Sequence, residues 1–313
     1  MNTVVCGDSL AILKTLPNEV IDCCVTSPPY WALRDYGMPD QIGLEPTYYD
    51  YLERLLWIFD EVKRVLKKAG TCWINLGDTY GTSSSPGVRK GMQATNRGNQ
   101  TNKKWQKSGK NGVHGMEKSL LQIPSRFAIE MCNRGWILRN KIIWHKPNVM
   151  PQSVRDRFTV DYEEIFFFTK RKKYFFKQQF EPANYDGRTE ETMRASAKYQ
   201  GKVTPGHAAH TYAARAHQRW QFHDGQRMRN KRCVWSIPTK PYKEAHFATY
   251  PSTLIEPMIK AGCPQGGIVL DPFMGSGTTA WVARNLGRNY LGCELNPAYI
   301  KLIKKRLMQD ILL

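Results

Sequence analysis

The sequence has no C-x-x-C pair: its eight cysteines, at positions 6, 23, 24, 72, 132, 233, 263 and 293, are scattered along 313 residues. That spacing excludes a zinc ribbon and a disulfide framework, and scattered thiols suit a reducing cytoplasm. No apolar run approaches the ~18–20 residues of a membrane span, so no membrane partner is expected. Met1 to Lys14 lacks a basic stretch, and Asp8 breaks its apolar residues, so no secretory leader is expected. No G-x-x-x-x-G-K-[ST] loop occurs, which removes the common nucleoside-triphosphate cradle, and no internal repeat is present. Acid is also scarce, with 27 Asp+Glu against 46 Lys+Arg and a net charge of +19. A hydrophobic fraction of 41% still suffices for a real core, so the chain reads as a basic globular protein with a polyanion as partner.

The positive charge is concentrated. Residues 82–118 hold eight Lys/Arg and one acid, Glu117, and residues 177–240 hold twelve Lys/Arg and five acids. The first stretch is rich in Gly, Asn, Gln and Lys with one aromatic, Trp105, and is expected to be mobile without its partner. The second interleaves arginine with Tyr185, Tyr199, Tyr212, Trp220, Phe222 and Trp235, which suits phosphate contact and base stacking. Two such runs flanking a core point to a nucleic-acid cleft. His207, His210, His217 and His223 lie in the second run, but their spacing fits no standard metal site, and no metal is expected.

Elsewhere strands and helices alternate. Asn2–Cys6 reads as a strand, Ser9–Leu16 as a helix and Ile21–Thr26 as a buried strand. Thr47–Lys68 carries Leu52, Leu55, Leu56, Phe59, Val62, Val65 and Leu66 on one helical stripe, with Gly70 as its stop and Thr71–Leu76 as the next strand. Ser125 is placed to cap a helix running to Asn133, followed by strands over Trp136–His145 and Tyr162–Phe168. The last third reads as helix Ser252–Ala261, strand Gly267–Leu270, helix Thr278–Leu286, strand Asn289–Cys293 and a final helix capped by Asn296. The alternation predicts an α/β fold with a doubly wound, mostly parallel sheet.

Gly267–Thr279 reads GIVLDPFMGSGTT, a strand, a glycine turn and a helix start. Gly275 and Gly277 allow close backbone approach to a ligand, and the helix offers free N–H groups. Glu294, seventeen residues beyond Gly277, ends the next strand, where a carboxylate can accept hydrogen bonds from ribose hydroxyls. The pair favours a nucleoside-bearing cofactor over a plain tight turn. Thr26–Trp31 reads TSPPYW directly after a buried strand. Consecutive prolines fix φ and remove two N–H donors, leaving the Ser27 and Pro28 carbonyls as rigid acceptors beside two aromatics. A nucleobase amine requires such a set.

On these residues the chain resembles the DNA amino-methyltransferases, which use S-adenosylmethionine to methylate cytosine N4 or adenine N6. Ser27–Tyr30 matches their (D/N/S)PP(Y/F/W) signature, and Asp271–Thr279 matches their (D)PFxGxG(T)T cofactor turn. Gly7-Asp8, His246–Leu254 and the block Lys141–Lys170 add to the resemblance, and the motif order is similar to the β-ordered group. The resemblance implies a methyltransferase core with an inserted basic target-recognition region. Its parts would be a catalytic half over 1–81, a basic insertion over 82–118, core again over 119–176, target recognition over 177–240 and a cofactor half over 241–313. Residues 82–118 match no family motif.

It also implies roles. Phe273, Gly275 and Gly277 would cradle the methionine part of the cofactor together with Ser276 and Thr278. Asp271 would lie near its amino group, Glu294 would take the ribose hydroxyls and Asp8 would meet the adenine. Ser27 and the Pro28 carbonyl would accept from the target amine beside Pro29, with Tyr30 stacked on the base. Ring-carbon methylation would need a Pro-Cys nucleophile, and the chain has no such dipeptide. Serine ahead of Pro-Pro leans towards cytosine N4, with adenine N6 as the alternative. RNA or protein-amide methylation, and a DNA-binding protein with a vestigial core, are the other readings. The implied partners are double-stranded DNA and, in a restriction-modification setting, an endonuclease.

Overall fold

A computed structural model describes residues 2–81, 116–183, 221–223, 226–239 and 250–309. They form two compact units, one within residues 1–177 and 233–313, the other within 178–232.

The first unit is built on an eight-stranded sheet. Its spatial order is β1 (Asn2–Cys6), β11 (Asn289–Glu294), β10 (Ile268–Asp271), β2 (Ile21–Thr26), β3 (Leu66–Leu76), β5 (Tyr162–Thr169), β4 (Ile137–His145) and β9 (Val234–Ser236). Only β5 runs against its neighbours. Alternate residues point to opposite sides, and both sets are apolar. Cys24, Cys72, Ile74, Phe166 and Phe168 pack under α1 (Ser9–Thr15), α2 (Tyr48–Val65) and α3 (Ile123–Asn133). Cys23, Val25, Trp73 and Phe167 face α4 (Ser252–Gly262), α5 (Thr278–Asn285) and α6 (Pro297–Gln309). Trp73 and Phe167 sit opposite each other in the register and stack with centroids 3.9 Å apart. Burial pushes the Cys23 and Cys24 thiols well above their ordinary values, so both are core residues.

Two boundaries differ from the sequence reading by more than one residue. The helix expected to reach Lys68 ends at Val65, because Leu66 already pairs with Ile21 of β2 and Lys67 reaches Asp22 at 2.8 Å. Gly70 therefore lies inside β3, where a Cβ would come within 2.8 Å of the Leu66 side chain. Ser125 does not cap α3, which begins at Ile123 with Pro124 in its first turn. The cap comes from two residues beyond β3, where Asp78 accepts the Ile123 N–H at 3.0 Å. Asn296 does start α6, accepting the Ala298 N–H at 2.9 Å.

The chain leaves the neighbouring strands β2 and β10 in opposite directions, to β3 through α2 and to β11 through α5. The crevice outside their carboxyl ends is where open α/β sheets bind ligands. The second unit holds a three-stranded antiparallel sheet in the order β6 (Phe180–Pro182), β8 (Gln226–Asn230) and β7 (Gln221–His223). In it Glu181 takes Arg229 at 3.0 Å and Arg232 at 2.7 Å. Trp105, Tyr185, Tyr199, Tyr212, Trp220, His207, His210 and His217 lie outside the described residues, as do 82–115 and 240–249. Among the described residues no helix is long and apolar enough to cross a membrane.

Candidate active site

The carboxyl ends of β1, β2, β10 and β11 open into one cavity of about 680 Å³. Three hydrogen bonds hold the turns together. Gly7 N–H donates to the Glu294 carbonyl at 2.9 Å, Met274 N–H to the Cys293 carbonyl at 2.9 Å and Ser9 Oγ to the Pro272 carbonyl at 2.5 Å. Asp8 caps α1 through the Ala11 N–H at 2.8 Å, which brings it to the cavity wall.

Ten of the twelve residues singled out in the sequence line this cavity. Ser27, Pro28, Pro29 and Tyr30 form one part of the wall. Asp8, Phe273, Gly275, Ser276, Thr278 and Glu294 form another. Asp271 and Gly277 do not line it. Asp271 is fully buried and accepts from Thr26 Oγ1 at 2.6 Å, Thr279 Oγ1 at 2.5 Å, Tyr250 OH at 3.0 Å and Phe273 N–H at 3.0 Å. Its carboxylate ties β2 and α5 to the turn, and burial raises its pKa despite those bonds. Gly277 sits at φ +82°, and a Cβ there would meet Ile303 of α6 at 3.0 Å, so it serves the packing of the turn.

Glu294 accepts the Gly275 N–H at 2.8 Å and the Asn296 N–H at 2.7 Å. Burial outweighs these bonds and pushes its carboxyl up to about 7. Gly275, at φ +54°, is what lets the turn bend its N–H towards that carboxylate. Arg306 from α6 donates to Thr278 Oγ1 at 3.0 Å.

At the other part of the wall, Tyr30 packs over Gly77, where a Cβ would come within 2.5 Å of its ring. Its hydroxyl donates to Glu163 Oε2 at 2.6 Å, and Asn75 Nδ2 bridges the two at 2.7 Å to each. Lys146 pairs with the other Glu163 oxygen and sits 4.5 Å above the Trp144 ring. Burial, then the Glu163 charge, pushes the Tyr30 phenol well above its ordinary value, so it stays a donor. Glu163, Lys146, Asn75 and Trp144 all line the cavity, and none of them has a role in the reading of the sequence. Three of the four lie in the block Lys141–Lys170, and that block was the available signal. Gln41 completes the wall, binding the Tyr36 N–H at 2.8 Å and the Arg34 carbonyl at 3.1 Å to fold the loop that carries Tyr36 and Met38.

The N6/N4 DNA methylase family model matches residues 21–305. The Type II methyltransferase M.XycI of Xanthomonas campestris pv. cyanopsidis is 40% identical, over 96% of this chain and 86% of its own length. M.Cfr9I of Citrobacter freundii, also a Type II methyltransferase, is 40% identical over 97% and 87%. Among solved structures, the cytosine-N4-specific PvuII DNA methyltransferase aligns with a TM-score of 0.62 at 18% identity, over 97% of this chain and 86% of that one. TTHA0409 of Thermus thermophilus, solved with S-adenosyl-L-methionine, gives 0.57 at 22% identity, over 99% and 96%. These two likenesses are likenesses of fold.

Proposed function

The chain belongs to the N6/N4 DNA methylase family, and from that premise we propose that it methylates an exocyclic amine in double-stranded DNA, cytosine N4 ahead of adenine N6, with S-adenosylmethionine as donor. The observation that carries this reading is convergence. The Ser-Pro-Pro-Tyr turn and the glycine turn, more than 200 residues apart in sequence, line one cavity.

The cofactor half fits a nucleoside-bearing group. Glu294 is buried with backbone N–H groups as its donors, and ribose hydroxyls would satisfy the carboxylate that burial leaves at about 7. Phe273, Gly275, Ser276 and Thr278 would hold the methionine part, and Asp8 would meet the adenine. When bound, the cofactor supplies an electrophilic methyl on a sulfonium.

The target half supplies the nucleophile. An exocyclic amine reacts poorly because its lone pair is delocalised into the ring. Ser27 Oγ and the Pro28 carbonyl accept its two hydrogens in positions that suit a more tetrahedral nitrogen, which frees the lone pair. Tyr30 holds the base plane by stacking. This is preorganised electrostatics and in-line positioning, without a covalent enzyme intermediate. The base must leave the helix to reach the turn. Residues 177–240 would read the site and 82–118 would hold the backbone. The Type II naming of the relatives favours a restriction-modification setting.

Ser27 favours cytosine, although a hydroxyl accepts from either amine. The test is to incubate the protein with unmethylated duplex DNA and S-adenosylmethionine, digest to nucleosides and identify the product by mass and retention. N4-methylcytosine is expected. N6-methyladenine would keep the mechanism and reassign the base, and neither product on any duplex would sink the reading.

A further inference from the structure

The hydrogen bonds behind Ser27 have their direction fixed from one end. Glu163 stands near the start of β5, and its carboxylate only accepts. Lys146 occupies Oε1. Oε2 takes the Tyr30 hydroxyl at 2.6 Å and an Asn75 amide N–H at 2.7 Å. The same Asn75 nitrogen donates to the Tyr30 oxygen at 2.7 Å. Tyr30 has thus committed its one proton to Glu163, and its oxygen can only accept. Ser27 Oγ lies 3.4 Å from that oxygen, so the serine proton fills the contact. The Ser27 lone pairs are left for whatever enters the cavity.

Asn75 reinforces the direction. Among the described residues its buried Oδ1 has no partner. Turning the amide over would set that oxygen against the Glu163 carboxylate, so the amide keeps its N–H groups on the pair.

We propose that Glu163 is a positioning residue that fixes Ser27 as an acceptor through the one-way chain Ser27 to Tyr30 to Glu163, and so selects an amine over a carbonyl at the target position. The inference rests on the reading of Ser27 as the acceptor for the target amine. It predicts that an amide at position 163 is worse than a mere loss of charge. Gln can offer N–H to the Tyr30 oxygen, which frees the tyrosine proton for Ser27 and turns the serine proton outward.

The test compares wild type, Glu163→Gln and Tyr30→Phe, each saturated with S-adenosylhomocysteine, by fluorescence anisotropy on duplexes carrying the mapped target. The target base is either the amine form or its carbonyl counterpart (uracil for cytosine, hypoxanthine for adenine). Each stands opposite an abasic site, so that pairing does not differ. Wild type is expected to prefer the amine by roughly tenfold or more, and both variants by less than about threefold, with single-turnover methyl transfer slowed to match. Tyr30→Phe keeps the ring over Gly77 and carries the test alone if Glu163→Gln does not fold. A Glu163→Gln protein with full rate and full preference overturns the inference. So does one that loses rate but keeps the preference, because damaged packing alone would do that. Failure of the functional reading is seen earlier and differently, as wild-type protein that yields no methylated nucleoside.

Discussion

Ser27 and Glu294 line different parts of one cavity, and each gives a separable prediction. Removing the Ser27 hydroxyl deletes one acceptor and touches nothing in the cofactor half. Ser27→Ala is expected to slow single-turnover methyl transfer roughly ten- to a hundredfold while the dissociation constant for S-adenosylmethionine, read by calorimetry, stays put. A variant with unchanged rate would remove Ser27 from the chemistry. Glu294 predicts a pH effect. Its ordinary value is 4.5, and burial pushes it up to about 7 in the folded protein. Between those values the folded protein holds a proton that the unfolded chain has released. The stabilisation from this group is therefore complete below 4.5 and lost as pH rises through about 7. The Tm of the ligand-free protein should fall between pH 5 and pH 8 by more in wild type than in Glu294→Gln. On the proposed role of Glu294, ribose hydroxyls would donate to the ionised form, so cofactor affinity is expected to run the other way and weaken as pH drops below about 7. Parallel pH profiles for the two proteins would show that Glu294 governs neither.

The elements explain why the site is rigid and how far it could be read in advance. Gly77 follows β3 directly beneath Tyr30, and a methyl group there would lie 2.5 Å from Cε2. Gly77→Ala is therefore expected to displace the tyrosine ring and reduce methyl transfer at least about tenfold, with overpacking at the usual cost of ~1–3 kcal/mol in stability. Retained activity would mean the ring position is dispensable. The strands outside 177–240, the α2 stripe and the glycine turn were legible because apolar periodicity and backbone constraints are local. The α2–β3 boundary was not, because pairing of Leu66 with Ile21 overrides helix propensity from across the sheet. The start of α3 was missed for the same reason, since its cap, Asp78, lies 45 residues upstream. Glu163 is the instructive case. In sequence Glu163 is one residue of the strand read over Tyr162–Phe168, with nothing beside it to give it a role. Only the antiparallel register, which sets Glu163 against Trp144 and Ile165 against Asn75, brings it to Tyr30. Ser27–Tyr30 was legible as a candidate because four consecutive residues carry the proposed chemistry, whereas the groups behind it come from three separate strand ends.

At the scale of the whole molecule, the net charge of +19 has to be reconciled with a site built mainly from neutral groups. Binding of duplex DNA is expected to draw on cations away from the cavity, and such contacts release counterions, so affinity should fall steeply with salt. Residues 82–115 carry seven Lys/Arg and no acid. Their flanks are already clamped together: Gly81 N–H donates to the Ser119 carbonyl at 2.8 Å, Lys118 N–H donates to the Gly81 carbonyl at 3.0 Å, and Tyr80 bridges to Leu120. A short Gly/Ser link can therefore replace the whole segment without stretching the core. If these cations lie on phosphates, the excised protein should bind duplex DNA more weakly. The slope of log affinity against log salt should flatten by up to about 6, since each neutralised phosphate contributes close to 0.9. Cofactor affinity and the methyl-transfer rate at saturating DNA should survive the excision, because no residue of the described cavity is lost. An unchanged slope would place the DNA-binding charge elsewhere, and a lost rate at saturating DNA would give the segment a part in presenting the base rather than in holding the backbone.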